Sequence, residues 1–347
     1  MNLLITTFLL LLGCSAVISD APEPSYRLSK DVTPTSYDIW LRPYLLASDG
    51  ERRYTYNGEV NITLQYSKGR EITLHKNIVN ITSTWLYKYN NNTPVAIQTF
   101  GTRELIYDNI TQKLTVPLKE NLDQYEKYML RFGFLGQIRD GMQGFFRVNY
   151  TNENKREKWI GVTQAQRIDA RSIFPCFDEP EFKATFRLEL SRPTQYRTVF
   201  NAELLESIPD ASSFNRYLDI FAATPPMSTY LFAFMVTEYV TYGNDDLKVI
   251  TRVEHQNYTR FAYEVAQRAL KAFDAYTQLP YKQLGLPQMQ IATSPKFAHN
   301  GMENWGLVIY KEEVLVHMPD YNDGWSDKEY TLNIIVHETA HMWFGNS

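Results

Sequence analysis

From Tyr37 to about residue 240, apolar and polar side chains alternate along run after run, and a chain patterned this way buries itself as sheet. Tyr37, Ile39 and Leu41 alternate with Asp38, Trp40 and Arg42. Val60, Ile62, Leu64 and Tyr66 alternate with Asn61, Thr63 and Gln65. Successive side chains on a strand point to opposite faces, so each run is a strand with one buried side. Similar runs recur at Leu114 to Leu118, Tyr128 to Phe134, Phe186 to Leu190 and Tyr230 to Phe234, divided by Gly, Asn and Pro turns. The first 240 residues are expected to form a large antiparallel β domain. With 347 residues, 44% hydrophobic and 21% charged, the chain has room for two ordinary globular domains.

The period changes at Tyr258, where Phe261, Val265, Ala269 and Phe273 share one helical face and Pro280 ends the run. The domain boundary is placed ahead of this change, in Glu238 to Asp245, which divides residues 20–240 from residues 241–347. A loop, SPKFAHNGMENWG, then leads into an apolar run, LVIYKEEVLV, read as a strand, and into polar YNDGWSDKE. The fold class is α+β. In the loop, Glu303 lies between a turn and an apolar run, where a carboxylate can hold a cationic group. On spacing alone, a solvated turn residue fits equally well.

The stretch from Ser326 to Gly345 is read as one helix, with Ser326 and Glu329 spaced as a capping box and Gly345 as the left-handed stop. It contains HETAH, His337 to His341. Residues four apart lie one turn apart on one face, so both imidazoles reach a single ion. Imidazole suits Zn²⁺, and the adjacent Glu338 can take a proton from a metal-activated water. This is the H-E-x-x-H pattern of metallopeptidases. A catalytic zinc normally has three protein ligands, and HETAH supplies two.

The address reads as secretory. An apolar core from Leu3 to Leu12 is followed by small residues with cleavage expected after Ala16 or Ser19, so residues 1–19 read as a signal peptide. Asn61, Asn80, Asn91, Asn109, Asn149 and Asn257 are each followed two residues later by Thr, which makes them candidate glycosylation sites. Cys14 would leave with the signal. Cys176 then remains as a single thiol among Phe174, Pro175 and Phe177, which suggests a buried, inert group. A net charge of −4 leaves no electrostatic footprint for nucleic acid.

These residues together resemble a known family. GMENWG, Gly301 to Gly306, followed 34 residues after Glu303 by HETAHMWFGN, is similar to the exopeptidase loop and zinc helix of the aminopeptidase N family of zinc aminopeptidases. TQAQ at Thr163 to Gln166, DARSIFPCFDEP at Asp169 to Pro180 and KATF at Lys183 to Phe186 resemble that family's N-terminal signature. The resemblance implies a saddle-like β domain followed by the first part of a thermolysin-like catalytic domain. It implies His337 and His341 as zinc ligands and Glu338 as general base. Glu303 would bind the free α-amine of a peptide, with Gln164, Gln166, Gly301, Met302 and Asn304 as its neighbours in the substrate site. A carboxylate that holds the ammonium measures distance from the chain end, so only the first peptide bond reaches the metal. The family's loop usually reads GAMEN, and here Asn300 and Gly301 stand in place of its Gly and Ala. His299 is read as an exposed loop residue, and the Asp178 and Glu179 pair as structural.

The resemblance places the third zinc ligand, a Glu, past Ser347, together with a Tyr that helps stabilise the oxyanion. The 347 residues alone are therefore expected to bind zinc weakly and to turn over little or no peptide. These residues are not expected to encode membrane attachment. The reading is a secreted or cell-surface zinc aminopeptidase acting on peptides with free N-termini. Its rival is a non-catalytic secreted glycoprotein that binds through its β domain. A zinc endopeptidase is disfavoured by Glu303.

Overall fold

The computed structural model describes residues 25–319, 321 and 324–346. The signal reading and Cys14 lie outside the described residues. An eight-stranded sheet dominates the first part of the chain. Its strands run in the order Leu204–Pro209, Arg216–Phe221, Thr185–Pro193, Val32–Pro43, Thr55–Tyr66, Tyr128–Gln137, Asn80–Asn90, Thr93–Phe100. Every pairing is antiparallel except that of Val32–Pro43 with Thr185–Pro193, which is parallel and sets Tyr37 beside Phe186. Those two rings stack with centroids 4.8 Å apart. Tyr37, Ile39, Leu41, Val60, Ile62 and Leu64 are all buried, so the alternation marked the core face.

A four-stranded sheet, Arg197–Phe200, Phe234–Thr237, Glu157–Gln164, Gly144–Thr151, carries the chain toward the second part. The run Tyr230 to Phe234 differs from expectation. Thr229–Leu231 is a 3-10 turn and the strand begins only at Phe234. Side chains take the place of the ladder here: Asn201 Nδ2 donates to the Leu231 carbonyl at 2.8 Å, and the Ala233 N–H donates to Asn201 Oδ1 at 2.7 Å.

The FPCFDEP turn is fixed by charge. Asp178 is fully buried and pairs with Arg171 Nε at 2.9 Å, while Thr229 donates to its other oxygen at 2.8 Å. Glu179 accepts the Leu28 N–H at 2.6 Å. Both carboxylates are thus structural. Cys176 is buried, and burial holds its thiol pKa well above the ordinary range.

The second part builds a five-stranded sheet in the order Val240–Gly243, Leu247–Thr251, Met289–Ser294, Leu307–Lys311, Gly301–Met302. Its three middle strands are parallel. Met289–Ser294 is buried at every position, so it shows no alternation and escaped the sequence reading. Helix α1, Arg260–Thr277, crosses between two of these strands. Its buried face is Ala262, Val265, Ala266, Ala269 and Leu270, with Phe261 and Phe273 packed at the margin instead of at the centre. The run Leu307 to Val316 is strand only as far as Lys311. Helix α2, Glu312–Leu315, follows, with two glutamates in its first turn where the helix dipole favours them.

Helix α3, Trp325–Ala340, begins after Gly324 in extended conformation, so Ser326 lies inside the first turn and no side chain caps the helix. The capping-box expectation fails because glycine already occupies the cap position. Gly345 has the positive φ expected of it, +125°, but stands beyond a run of turns after Ala340. Trp343 fastens this end: its indole N–H donates to the Leu279 carbonyl at 2.7 Å, and its ring stacks on Phe273. Among the described residues no helix is long and apolar enough to cross a membrane.

The buried Arg171–Asp178 pair should dominate the charge contribution to stability. Asp178→Ala strands a buried guanidinium and is expected to cost about 3–5 kcal/mol in urea unfolding. Lys30→Ala, at an exposed pair with Glu181, should cost about 0–1 kcal/mol. Similar losses for both variants would contradict this account.

Candidate metal and amine-binding site

His337 and His341 occupy successive turns at the end of α3, and their Nε2 atoms stand 3.2 Å apart. Two nitrogens bound to one tetrahedral zinc, each about 2.0–2.1 Å away, are themselves separated by about 3.3 Å. The pair is therefore spaced as one edge of such a site. His341 Nδ1 lies 3.1 Å from the Phe344 carbonyl. A carbonyl only accepts, so Nδ1 carries the proton and Nε2 keeps its lone pair for a metal.

Ligand atoms of Glu303, Glu338 and His341 lie within 4.8 Å of one another. One imidazole and two carboxylates thus converge from the helix and the loop, and His337 joins this group through its 3.2 Å contact with His341; nitrogen and oxygen donors of this kind suit Zn²⁺. Glu338 is 6% exposed, and its Oε2 has no hydrogen-bond partner among the described residues. Burial first, and the charge of Glu303 second, push its carboxyl up to about 8.

The loop is fitted to the helix at one point. Gly301 and Met302 pair with Tyr310 and Ile309, which brings the Gly301 backbone against Glu338. A Cβ on Gly301 would stand 2.6 Å from Glu338 Cγ. Gly306, at φ +86°, makes the other close approach: a Cβ there would stand 2.0 Å from the Asn201 carbonyl oxygen. Side chains from outside the loop hold it. Asn201 Nδ2 donates to the Trp305 carbonyl at 2.8 Å, and Asn346 Nδ2 donates to the Glu303 carbonyl at 2.8 Å. Lys183, from the KATF stretch, donates to the Asn346 carbonyl at 3.4 Å.

Buried polar atoms without partners gather around this loop. They include both amide atoms of Asn304, Trp305 Nε1, the Tyr310 hydroxyl, Glu338 Oε2 and Asn346 Oδ1. Buried polar groups are normally satisfied, so such a gathering marks a place where water, a ligand or an ion completes the set. Met302 is buried at 1% exposure and packs into the core.

Gln164 ends the Glu157–Gln164 strand with both amide atoms buried and unpartnered, and Gln166 is half-buried just beyond it. No hydrogen bond among the described residues joins either to Glu303. His299 is exposed. Of the sequons, Asn80, Asn91, Asn109 and Asn257 are exposed, while Asn61 and Asn149 are half-buried and Asn149 donates to Glu157.

Sequence reasoning singled out neither Asn201, Asn346 nor Tyr310. Asn201 and Asn346 act by bonding backbone far away in the chain, which leaves no local signal. Tyr310 lay inside an apolar run, where its buried hydroxyl beneath Glu338 was indistinguishable from a core aromatic.

The raised Glu338 carboxyl has a measurable sign. An unfolded glutamate ionises near 4.5, whereas the folded, metal-free one holds its proton up to about 8. Between those values the folded state carries the extra proton, so stability falls as pH rises, by up to about 1.4 kcal/mol per unit. In chelator, Glu338→Gln should remove that slope from urea unfolding between pH 5 and 8. An unchanged slope would contradict the burial argument.

Comparison with known proteins identifies the family. The Peptidase M1 N-terminal domain matches residues 33–231, and the Peptidase family M1 domain matches residues 261–347. The chain is 32% identical over 339 residues to membrane alanyl aminopeptidase of Manduca sexta, across 93% of this chain and 34% of that protein. It is 33% identical over 342 residues to aminopeptidase N of Canis lupus familiaris, across 94% and 34%. Against puromycin-sensitive aminopeptidase of Caenorhabditis elegans the identity is 29% over 326 residues, across 92% and 32%. The chain spans about a third of the length of these relatives. Two family domains in their expected order, the second containing the histidine pair and the Glu303 loop, settle the kinship: the chain belongs to peptidase family M1.

Proposed function

We propose that this chain carries the amine-binding loop and the first two zinc ligands of an aminopeptidase that removes residues from free peptide N-termini. The observation that carries the reading is the paired Nε2 atoms 3.2 Å apart, with Glu303 and Glu338 converging on His341. His337 and His341 would hold the metal. When bound, zinc supplies a Lewis acid and makes water nucleophilic near neutral pH.

The protein's own groups do the rest. Glu338 accepts the proton of the attacking water at Oε2, the oxygen left without a partner, and returns it to the departing amine. Glu303 holds the α-ammonium. The Asn201 and Asn346 bonds fix the loop backbone beforehand, so the distance from amine to reacting carbonyl is set by the fold. Asn304 and Gln164 have buried amides free for a polar ligand. Residues 20–240 are assigned to the β domain and 241–347 to the peptidase domain. A secretory leader at 1–19 and the exposed sequons support an extracellular or cell-surface address.

The test uses the protein that carries these residues, with free and N-acetylated dipeptide anilides as substrates. Glu338→Gln should lower kcat by about 10²–10⁴-fold with zinc content unchanged. Glu303→Ala should cost free-amine substrates about 10- to 100-fold in kcat/KM, the loss of one charged hydrogen bond, and narrow their advantage over acetylated ones. Equal cleavage of acetylated and free peptides by the unsubstituted protein would overturn the aminopeptidase reading.

A further inference from the structure

Two Asn-Gly steps occur in the chain, Asn57-Gly58 and Asn300-Gly301, and the fold treats them oppositely. Gly58 lies inside the Thr55–Tyr66 strand, paired with Leu41 on one side and Phe134 on the other. Asn300 lies in a bend before the two-residue strand Gly301–Met302, half-buried, at the mouth of the candidate site. Its side-chain amide has no hydrogen-bond partner among the described residues. Only its main-chain carbonyl is engaged, by the Lys311 N–H at 3.1 Å.

We propose that Asn300 is a spontaneous modification site, converting to aspartate and isoaspartate and so placing a new carboxylate beside the Glu303 loop. The Gly301 backbone nitrogen attacks Asn300 Cγ. A C–N bond forms, the bond to Nδ2 breaks, and ammonia leaves with the proton that Gly301 nitrogen gives up. Water then opens the five-membered imide. Attack at the side-chain carbonyl yields aspartate, and attack at the main-chain carbonyl yields isoaspartate. The step needs only water and no oxidant. A glycine nitrogen is the least shielded nucleophile a chain offers, and an unfastened amide turns freely to meet it. At Asn57 the same closure requires opening a strand paired on both sides, which costs a large part of the global unfolding free energy.

The position gives the change a consequence. Gly301 sits against Glu338, where a Cβ would stand 2.6 Å from Cγ. The isoaspartyl route inserts a backbone carbon one residue before that contact and shifts the loop against the helix. The added negative charge enters the loop three residues before the Glu303 carboxylate. That this lowers activity rests on the proposed function, whereas the modification itself does not.

The experiment therefore reads mass, not catalysis. The purified chain is held in mildly alkaline buffer at physiological temperature, digested with trypsin, and the Phe297–Lys311 and Tyr54–Lys68 peptides are followed. A parallel sample is held in urea. In urea both steps should convert at similar rates. In the native protein the residue 300 peptide should lose its amide and gain isoaspartate, while the residue 57 peptide stays intact. Equal protection of both sites in the native protein, or conversion at residue 300 only in urea, overturns the proposal.

Discussion

The backbone of Gly301 lies against the carboxyl of Glu338, and the rest of the site depends on that contact. It joins two pieces of chain with different tasks. The helix presents the imidazoles and Glu338, and the loop presents Glu303. A Cβ at residue 301, which the family's alanine would supply, would stand 2.6 Å from Glu338 Cγ, so either the Glu338 side chain or the loop would have to shift to admit it. The loop reaches this depth because Gly306 lets it pass the Asn201 carbonyl, and it stays there because Asn201 and Asn346 bond its backbone from either side.

The electrostatics follow from the same packing. Glu338 is buried by the loop, and burial raises its pKa more than Glu303 does. Glu303 remains half-exposed at the site's mouth, where it is open to a cation from solvent. Two carboxylates close together thus stand in different surroundings, one buried and protonatable near neutrality in the metal-free protein, the other open to solvent. Environment, not residue type, divides the roles. The β domain contributes at a distance. Asn201 and Lys183 come from it and bond Trp305 and Asn346, so the site is framed by both parts of the chain.

Much of this was legible in the sequence where the signal was local. Alternation in Val32–Pro43 and Thr55–Tyr66 marked the buried face, and four-residue spacing marked the histidine pair. What escaped was non-local or doubly buried. Met289–Ser294 carries no period because both faces are covered, and α2 interrupts an apolar run that reads as one strand. Ser326 was spaced as a cap, yet Gly324 took the position first. On α1 the buried stripe centres on small alanines, which leave room for close helix packing, and the larger Phe261 and Phe273 lie at its margins. Asn201 shows the limit most clearly: its role consists of bonds to residues 231, 233 and 305, none near it in sequence.

The central claim is that one cation is held by the two imidazoles on α3. X-ray absorption at the zinc edge of the metal-loaded protein tests it directly. The account predicts imidazole nitrogen scattering about 2.0–2.1 Å from zinc, at an amplitude for two rings that falls to one in His341→Ala. Zinc surrounded only by oxygen, or a spectrum unchanged by removal of His341, would contradict it.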